Sequence, residues 1–176
     1  MSIGKEYLRV VRERFAIMKG QGERTFAQLN EEDFYWTMNN ASNSIAILIQ
    51  HVSGNMISRW TDFMTTDGEK PDRNRDEEFE SKRMSKEQLM DCWERGWRIF
   101  LDTLDNLSES DLEKTIYIRG EAHSVIDAIE RQMAHYAAHI GQIMFIGKQI
   151  KGEQWENLSI PKGGSDAYLA QKLKGQ

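Results

Sequence analysis

The stretch that decides the fold is RQMAHYAAHIGQIMFIG, at residues 131–147. It contains His135 and His139, which are four residues apart. Four residues is just over one turn of an α-helix, so both imidazoles project from the same side of a helix. Two such imidazoles can bind one metal ion together. A third histidine from another segment would give the three protein ligands and open position of a catalytic metal site.

The same stretch lies inside a helix that the sequence predicts over residues 124–151. Ser124 and Asp127 form its N-terminal capping pair, and Gly152 is its stop. The two histidines lie on the flank of an apolar stripe, beside Gln132 and Gln142. The residues predicted to form that stripe are Ile126, Ile129, Met133, Ala137, Ile140 and Met144.

A third histidine, His51, lies in a second predicted helix over residues 43–65. The apolar stripe of this helix comprises Ile45, Leu48, Ile49, Val52, Met56, Trp60 and Phe63. His51 falls on a separate polar stripe with Asn55, Ser58 and Asp62, all within roughly 60° of one another. Two helices therefore present histidine beside their apolar stripes, as expected if both line one pocket at the edge of a bundle.

The alternative for each histidine is a structural role. An HxxxH pair on a helix is more often a pair of surface or hydrogen-bonded histidines than a metal site, and a single histidine such as His51 is weaker evidence still. Three of the four histidines share similar helix flanks, however, and this favours His51, His135 and His139 as ligands of one divalent ion. His123, just ahead of the Ser124 cap, is predicted to be a loop histidine that binds no metal.

Two further long helices are predicted, over residues 3–29 and 86–106. Gly20 and Gly22 permit a break in the first of them. Ser85 with Gln88 resembles a capping box at the start of the other. The residues of this helix expected to face inward are Leu89, Trp93, Trp97, Phe100, Leu101 and Leu104, which makes the two tryptophans core residues.

The remaining segments are predicted to be mostly irregular. Residues 65–84 alternate in charge around turn signals, and a loop of this length is either functional or simply solvated. Residues 115–118 (TIYI) predict a short strand or extended crossing. The tail, residues 152–176, is expected to be irregular and packed back by Trp155 and Ile160.

No residue can be assigned as a general base from the sequence. Asp62, Asp76, Glu77 and Glu78 are candidates, although loop carboxylates are usually solvated, and their charges could instead form an interface. Asp62 could also orient an imidazole, because ligating histidines usually donate their second N–H to an oxygen. It lies three turns from His51, which argues against direct contact.

The composition limits the classes of protein. With 176 residues, of which 39% are hydrophobic, residues 1–176 are expected to form one all-α domain. The net charge of −5 offers no broad surface for nucleic acid. Cys92 is the only cysteine, so metal ligands must be nitrogen or oxygen. Without a secretory signal or an apolar run of about 20 residues, we expect a cytoplasmic protein that does not enter the membrane.

The chain resembles the DinB-like superfamily, and within it a bacterial branch of uncharacterised proteins. The superfamily pattern is a histidine on the second helix and an HxxxH pair on the last, matched here by His51, His135 and His139. Two longer stretches are similar to the branch itself: SRWTDFMTTDGEKPDRNRDEEFE at residues 58–80, and RQMAHYAAHIGQI with WENLSIPKG within residues 131–162. The resemblance covers nearly the whole chain.

The resemblance implies a four-helix bundle with up-down-down-up topology, a long crossover between the second and third helices, and often a homodimer. It also implies a divalent metal ion, with nickel and zinc as the leading candidates, held by the three histidines with water completing the shell. Relatives with an assigned activity include thiol-dependent transferases and isomerases that use bacillithiol or mycothiol, and some relatives are described as hydrolases.

Three functions follow as hypotheses. The first is a metal-dependent enzyme that transfers a low-molecular-weight thiol, such as a bacillithiol-type thiol, to a small electrophile, because a bound ion lowers the pKa of a thiol. The second is metal-dependent hydrolysis of a small substrate. The third is a stress-associated dimeric bundle without catalytic activity. Imidazole ligands suit zinc, nickel, copper and iron alike, so the sequence does not identify the metal.

Overall fold

Helices account for most of the computed structural model, which describes residues 2–80 and 83–174. Four long helices are α1 (Ile3–Phe26), α2 (Ile45–Trp60), α3 (Lys86–Asn106) and α4 (Val125–Lys151), and a shorter α5 spans Ser165–Lys174. An antiparallel hairpin of β1 (Thr115–Ile118) and β2 (Glu121–Ser124) connects to the start of α4. Among the described helices, none combines the length and apolarity needed to cross a membrane. Ser81 and Lys82 of the predicted loop, and Gly175 and Gln176 of the predicted tail, lie outside the described residues.

Each of the four long helices begins after a serine that caps its first turn. The hydroxyl of each serine accepts a backbone N–H three residues further on, which satisfies one of the free donors at a helix start. At α3 the cap is the full capping box that the sequence predicts, since the Gln88 side chain also accepts the backbone N–H of Ser85. The four serines are Ser2, Ser44, Ser85 and Ser124.

The core is built mainly from aromatic side chains of the four long helices. α2 packs most extensively against α3, and α1 against α4, while α1 also contacts α3 and α2 contacts α4. Phe15 and Phe100 meet edge to face, with ring centroids 4.5 Å apart. Trp93 and Trp97 are fully buried, which confirms their prediction as core residues. The apolar stripe predicted for α2 is buried as well.

The first helix runs without a break through its two glycines. Gly22 is buried where α1 crosses α3, and a β-carbon there would lie only 2.6 Å from Cζ2 of Trp93. The glycine therefore serves close packing and not a bend in the helix. α1 ends at Phe26, three residues before the predicted end, although Leu29 still packs into the core.

The second helix is shorter than predicted at both ends. It ends at Trp60, because Thr61 is extended and Asp62 adopts a left-handed conformation with φ of 48°. The chain then turns into the crossover that leads to α3. Asp62 is exposed in this turn and lies outside the polar stripe that the sequence assigned to it.

The fourth helix is rotated relative to the prediction. Ile126 is 37% exposed and Ala137 is exposed, so neither lies in the core stripe. The helix buries Tyr136 instead, whose hydroxyl donates to Asn55 and accepts from the indole N–H of Trp60. A tyrosine can be buried when its hydroxyl has hydrogen-bond partners, and its ring then buries far more apolar surface than an alanine does. The observed core stripe is formed by Val125, Ala128, Ile129, Gln132, Tyr136, Ile140, Ile143 and Gly147.

The predicted strand at residues 115–118 is present, and it pairs with a second strand that the sequence analysis missed. β2 has the sequence EAHS, which lacks the β-branched and aromatic residues typical of strands, so its structure depends on pairing with β1. The prediction of an irregular tail is wrong for Ser165–Lys174, where helix-forming residues make α5. Trp155 packs against Gly147 as expected, whereas Ile160 is 41% exposed.

Candidate metal centre

Three histidines from two helices converge at the edge of the core. His51 lies near the middle of α2, and His135 and His139 lie one turn apart on α4. The Nε2 atom of His135 is 3.3 Å from Nε2 of His51 and 3.0 Å from Nε2 of His139. The three rings are close to mutually perpendicular, with interplanar angles of 81°, 78° and 77°. The cluster could hold a metal ion.

The spacing of these nitrogens suits ligation of one ion. Two nitrogens that each lie about 2.0–2.1 Å from zinc are roughly 3.3–3.4 Å apart at a tetrahedral angle and roughly 2.9 Å apart at a right angle. The separations of 3.3 Å and 3.0 Å fall within this range. Nitrogens that both carry lone pairs cannot hydrogen bond to each other, so a shared cation is the partner that this arrangement favours.

The other ring nitrogen of each histidine has an oxygen partner. Nδ1 of His51 donates to Oε2 of Glu78 at 3.0 Å, and Nδ1 of His139 donates to Oε1 of Gln142 at 3.0 Å. Nδ1 of His135 donates to Oε1 of the buried Gln132 at 3.4 Å. A proton on Nδ1 leaves the lone pair on Nε2, so these contacts set the tautomer in which all three Nε2 atoms can bind a metal.

The environment disfavours the protonated form of two of the three histidines. Burial and the neighbouring His139 and His51 rings lower the pKa of His135 to about 3. Burial, with a contribution from His51, also lowers the pKa of His139 despite its hydrogen bond to Gln142. Because a metal binds the neutral imidazole, His135 and His139 are in the form that could bind one at neutral pH.

Glu78 reaches the cluster from a 3₁₀ turn, Asp76–Phe79, in the crossover between α2 and α3. Its carboxylate accepts from Nδ1 of His51 and forms a two-point ion pair with Arg73, at 2.7 Å and 2.8 Å. Burial alone would raise the pKa of Glu78, but His51 and Arg73 hold it below its ordinary value. Glu78 is therefore ionised and serves as the fixed acceptor that orients His51.

The close approach of Glu78 depends on a glycine in α2. A β-carbon at Gly54 would lie 2.9 Å from the carboxyl carbon of Glu78, so a larger residue would displace this side chain. The next residue of the turn, Phe79, packs its ring 4.7 Å from the His51 ring. The guanidinium of Arg75 lies over the Phe79 ring, 5.0 Å from its centroid.

The structure separates the candidate carboxylates. Glu78 contacts the cluster, and its carboxylate is occupied by hydrogen bonds from His51 and Arg73. Asp62 and Asp76 are exposed, and Glu77 accepts from the Asn74 amide on the surface. His123 lies on β2, where its Nδ1 pairs with Asp127, and it is not part of the cluster.

A cavity of about 460 Å³ lies beside the cluster and shares two of its histidines. Its polar lining includes His51, Asn55, Gln132 and His135. The rest of the lining is five arginines, none of which the sequence patterns predicted as a site residue: Arg59, Arg73, Arg75, Arg119 and Arg131.

A helical signal for two of these arginines was available in the sequence. Arg59 continues the His51–Asn55 stripe at a spacing of four residues, and Arg131 precedes His135 at the same spacing. The other three come from the crossover and the hairpin turn, where no periodicity predicts position. Their assignment to the cavity requires the structure.

The described residues thus form a helical protein with a partly buried cluster of three histidines that could hold a metal ion. The chain belongs to the family described as Protein of unknown function (DUF1572), whose model matches residues 2–164. That range includes the four long helices, the crossover and all three histidines. No curated protein matches the sequence.

Proposed function

We propose that this protein binds a divalent metal ion, nickel or zinc, through His51, His135 and His139. The observation that carries the proposal is the convergence of three Nε2 atoms. In each of the three rings the other nitrogen, Nδ1, hydrogen bonds to a side-chain oxygen. A set of three neutral imidazoles leaves the ion its positive charge and an open position, as in catalytic zinc sites. The oxygen partners match the supporting contacts that metal-binding histidines ordinarily have.

We further propose that the metal-loaded protein transfers a low-molecular-weight thiol, of the bacillithiol type, to a small electrophile. A divalent ion at the three histidines would lower the pKa of a thiol brought next to it. The state of the carboxylates supports this reaction class. Glu78 is held by His51 and Arg73, and Glu69 contacts Arg73 and Arg119, so a nucleophile that needs no protein base fits the site best.

The fold that we propose is the DinB-like four-helix bundle with up-down-down-up topology. Its support is the mutual packing of the four long helices and the crossover of more than twenty residues between α2 and α3. The cavity lining also fits antiparallel α2 and α4, because Arg59 follows His51 whereas Arg131 precedes His135. We propose a homodimer as well, which light scattering of the purified protein would test.

Elemental analysis tests the metal site. Protein purified without a histidine tag and without added metal is expected to contain about one equivalent of nickel or zinc, and His51→Ala and His135→Ala are expected to lose it. His123→Ala is the matched control, because this histidine lies outside the cluster. Full metal content in both cluster variants would exclude these residues as ligands.

Activity assays with the identified metal restored test the reaction. Conjugation of a bacillithiol-type thiol to an electrophile panel is expected with the wild type and not with His135→Ala. Hydrolysis of ester or amide substrates without conjugation would contradict thiol transfer and support metal-dependent hydrolysis as the function. Metal binding without turnover in either panel would leave a non-catalytic dimeric bundle.

A further inference from the structure

Arg59 carries a buried guanidinium that no described residue hydrogen bonds. The residue is 4% exposed, and its Nε and Nη1 atoms have no hydrogen-bond partner among residues 2–80 and 83–174. The nearest carboxylate oxygen, of Glu69, is 3.9 Å from Nη2, which is beyond hydrogen-bond distance. Leaving such a charge buried and unsatisfied is unfavourable, and native proteins seldom do so without a functional reason.

The other arginines around the same cavity are arranged differently. Arg73 is neutralised by Glu78 and Glu69, and Arg119 contacts Glu69 at 3.1 Å. Arg75 is directed over the Phe79 ring. Arg131 is exposed on α4. Five guanidiniums thus lie near three carboxylates, Glu69, Glu78 and Asp67, which leaves an excess of two positive charges around one cavity.

The position of Arg119 is fixed by its backbone. Arg119 has a φ of 56° in the turn between β1 and β2, a conformation that few residues other than glycine adopt. The Asp67 carboxylate accepts the backbone N–H groups of Arg119 and Gly120, at 2.8 Å and 2.7 Å. The crossover therefore holds the turn in place and directs Arg119 toward the cavity rather than leaving it on a free loop.

We propose that this cavity binds the oxyanion group of a small anionic molecule, a phosphate ester or a polycarboxylate. Arg59 donates to the anion from the base of the cavity, and Arg119 and Arg131 donate from its rim. Guanidinium groups suit this task because their planar donors match phosphate and carboxylate oxygens at two points. A cavity of about 460 Å³ accommodates a small molecule, not a polymer.

This inference deepens the proposed function and rests on it for its catalytic meaning. His51 and His135 line both the histidine cluster and the cavity, so an anion bound by the arginines would place the rest of its molecule beside the Nε2 atoms. The substrate class would then be a molecule that carries a charged oxyanion group at one end and its reacting group, such as a thiol, at the other. Anion binding itself requires no metal.

Calorimetric titration of the full-length protein with inorganic phosphate and with succinate tests the proposal. The titrations use chelator-treated protein in a chloride buffer, where neither probe can coordinate a bound metal. We expect the wild type to bind at least one probe with millimolar or better affinity. Binding of phosphate alone assigns a phosphate ester, binding of succinate alone assigns a polycarboxylate, and binding of both assigns the shared oxyanion chemistry.

Variants separate the cavity from the overall charge of the protein. Arg59→Met keeps the length of the side chain and is expected to weaken binding at least about tenfold, because each hydrogen bond from a charged donor is strong. Arg14→Met removes the same charge from the exposed face of α1 and is expected to bind like the wild type. Arg119→Gln, at a side chain that is 53% exposed, provides a second variant that does not disturb the core.

The outcomes distinguish this inference from the proposed function. Failure of the wild type to bind either probe overturns the anion site. Binding by Arg59→Met and Arg119→Gln that is as tight as binding by the wild type also overturns it. Phosphate binding that occurs only with metal and ignores the arginine variants also overturns it, while leaving the metal site intact. Arginine-dependent binding in a protein that elemental analysis finds metal-free would support the anion site and overturn the metal proposal.

Discussion

The histidine cluster and the arginine cavity share His51 and His135 but differ in how their polar groups are satisfied. Each cluster imidazole has an oxygen at Nδ1, and burial holds the pKa values of His135 and His139 low. In the cavity, Arg59 is buried with a full charge and no hydrogen bond among the described residues. The protein itself positions the cluster completely, whereas the cavity needs a partner from outside the chain to satisfy its charge.

The two regions also differ in their supporting elements. The cluster stands on α2 and α4, whose side chains are fixed by helical backbone and core packing. The cavity adds Arg73 and Arg75 from the crossover and Arg119 from the hairpin turn. A binding site whose rim lies on loops can adjust to the molecule that it binds. Metal-binding side chains on helices keep a fixed spacing.

Metal removal is expected to have the largest effect and to act on the cluster alone. An ion that binds only the folded cluster, as proposed, would stabilise the protein by about 4 kcal/mol when free metal exceeds its Kd about a thousandfold. We expect chelation to lower the Tm measured by calorimetry by the corresponding amount. In His135→Ala the Tm is expected to be independent of chelator. In His123→Ala the chelator is expected to lower the Tm by as much as in the wild type.

The pH dependence of stability in the metal-free protein is the next expected effect. Between the ordinary pKa of 6.5 and the folded value of about 3, the unfolded chain binds a proton at His135 that the folded chain does not. The contribution of His135 is therefore fully present above pH 6.5 and is lost as the pH falls toward 3. Urea unfolding at a series of pH values should show this loss. The free energy of unfolding should fall less steeply with decreasing pH in His135→Gln than in the wild type. An equal slope in that variant would contradict the assignment.

Glu78 supports the cluster from outside it, so its loss should weaken metal binding without abolishing it. We expect Glu78→Gln to lower metal affinity about 10- to 100-fold, the range typical of residues that orient a metal-binding histidine. Competition with a chromophoric chelator would measure the change. Glu77→Gln, at the adjacent exposed carboxylate, is the control, and equal losses in both variants would argue against a specific role of Glu78.

Arg59→Met tests the cavity through stability. Removing a buried and unsatisfied charge while keeping an apolar side chain of similar length should raise the free energy of unfolding by about 1–2 kcal/mol. Denaturant unfolding of the metal-free variant in chloride buffer measures the change. A clear decrease in the free energy of unfolding would show that Arg59 stabilises the folded protein. The cavity would then not differ from the cluster in how its polar groups are satisfied.

The smallest expected effects come from two helix glycines near the cluster. Gly141 on α4 has open space around its α-carbon, so Gly141→Ala should stabilise the protein by about 0.5–1 kcal/mol and leave metal affinity unchanged. Gly54→Ala should lack that gain and should weaken metal binding, because the new methyl group displaces Glu78. Thermal unfolding and chelator competition on both variants would measure the difference, and matching behaviour would contradict the proposed contact.

The sequence was informative wherever a period of 3.6 residues applied. It predicted the helical class, the buried tryptophans and the grouping of His51, His135 and His139. The face of α4 was misjudged because the buried hydroxyl of Tyr136 depends on partners from α2, which no local pattern shows.

The remainder of the site depends on contacts between distant segments. Glu78 was one of four equivalent carboxylates in the sequence, and only its pairing with Arg73 and His51 distinguishes it. Arg119 acquires its place from a turn whose second strand, EAHS, is poor in strand-forming residues. Loop residues have no periodicity, so their roles are fixed by tertiary structure.

The hydrogen bonds from the Arg119 turn to Asp67 have a consequence for the order of folding. They join residues that are 52 and 53 positions apart in the chain, so closing them costs chain entropy that nearby contacts must already offset. α2 and α3 form the largest helix contact and can associate before the hairpin docks. We therefore expect the arginine cavity to assemble late, after the hairpin and α4 have joined the earlier helices, so that a chain still emerging from the ribosome would contain part of its core before it contained its site.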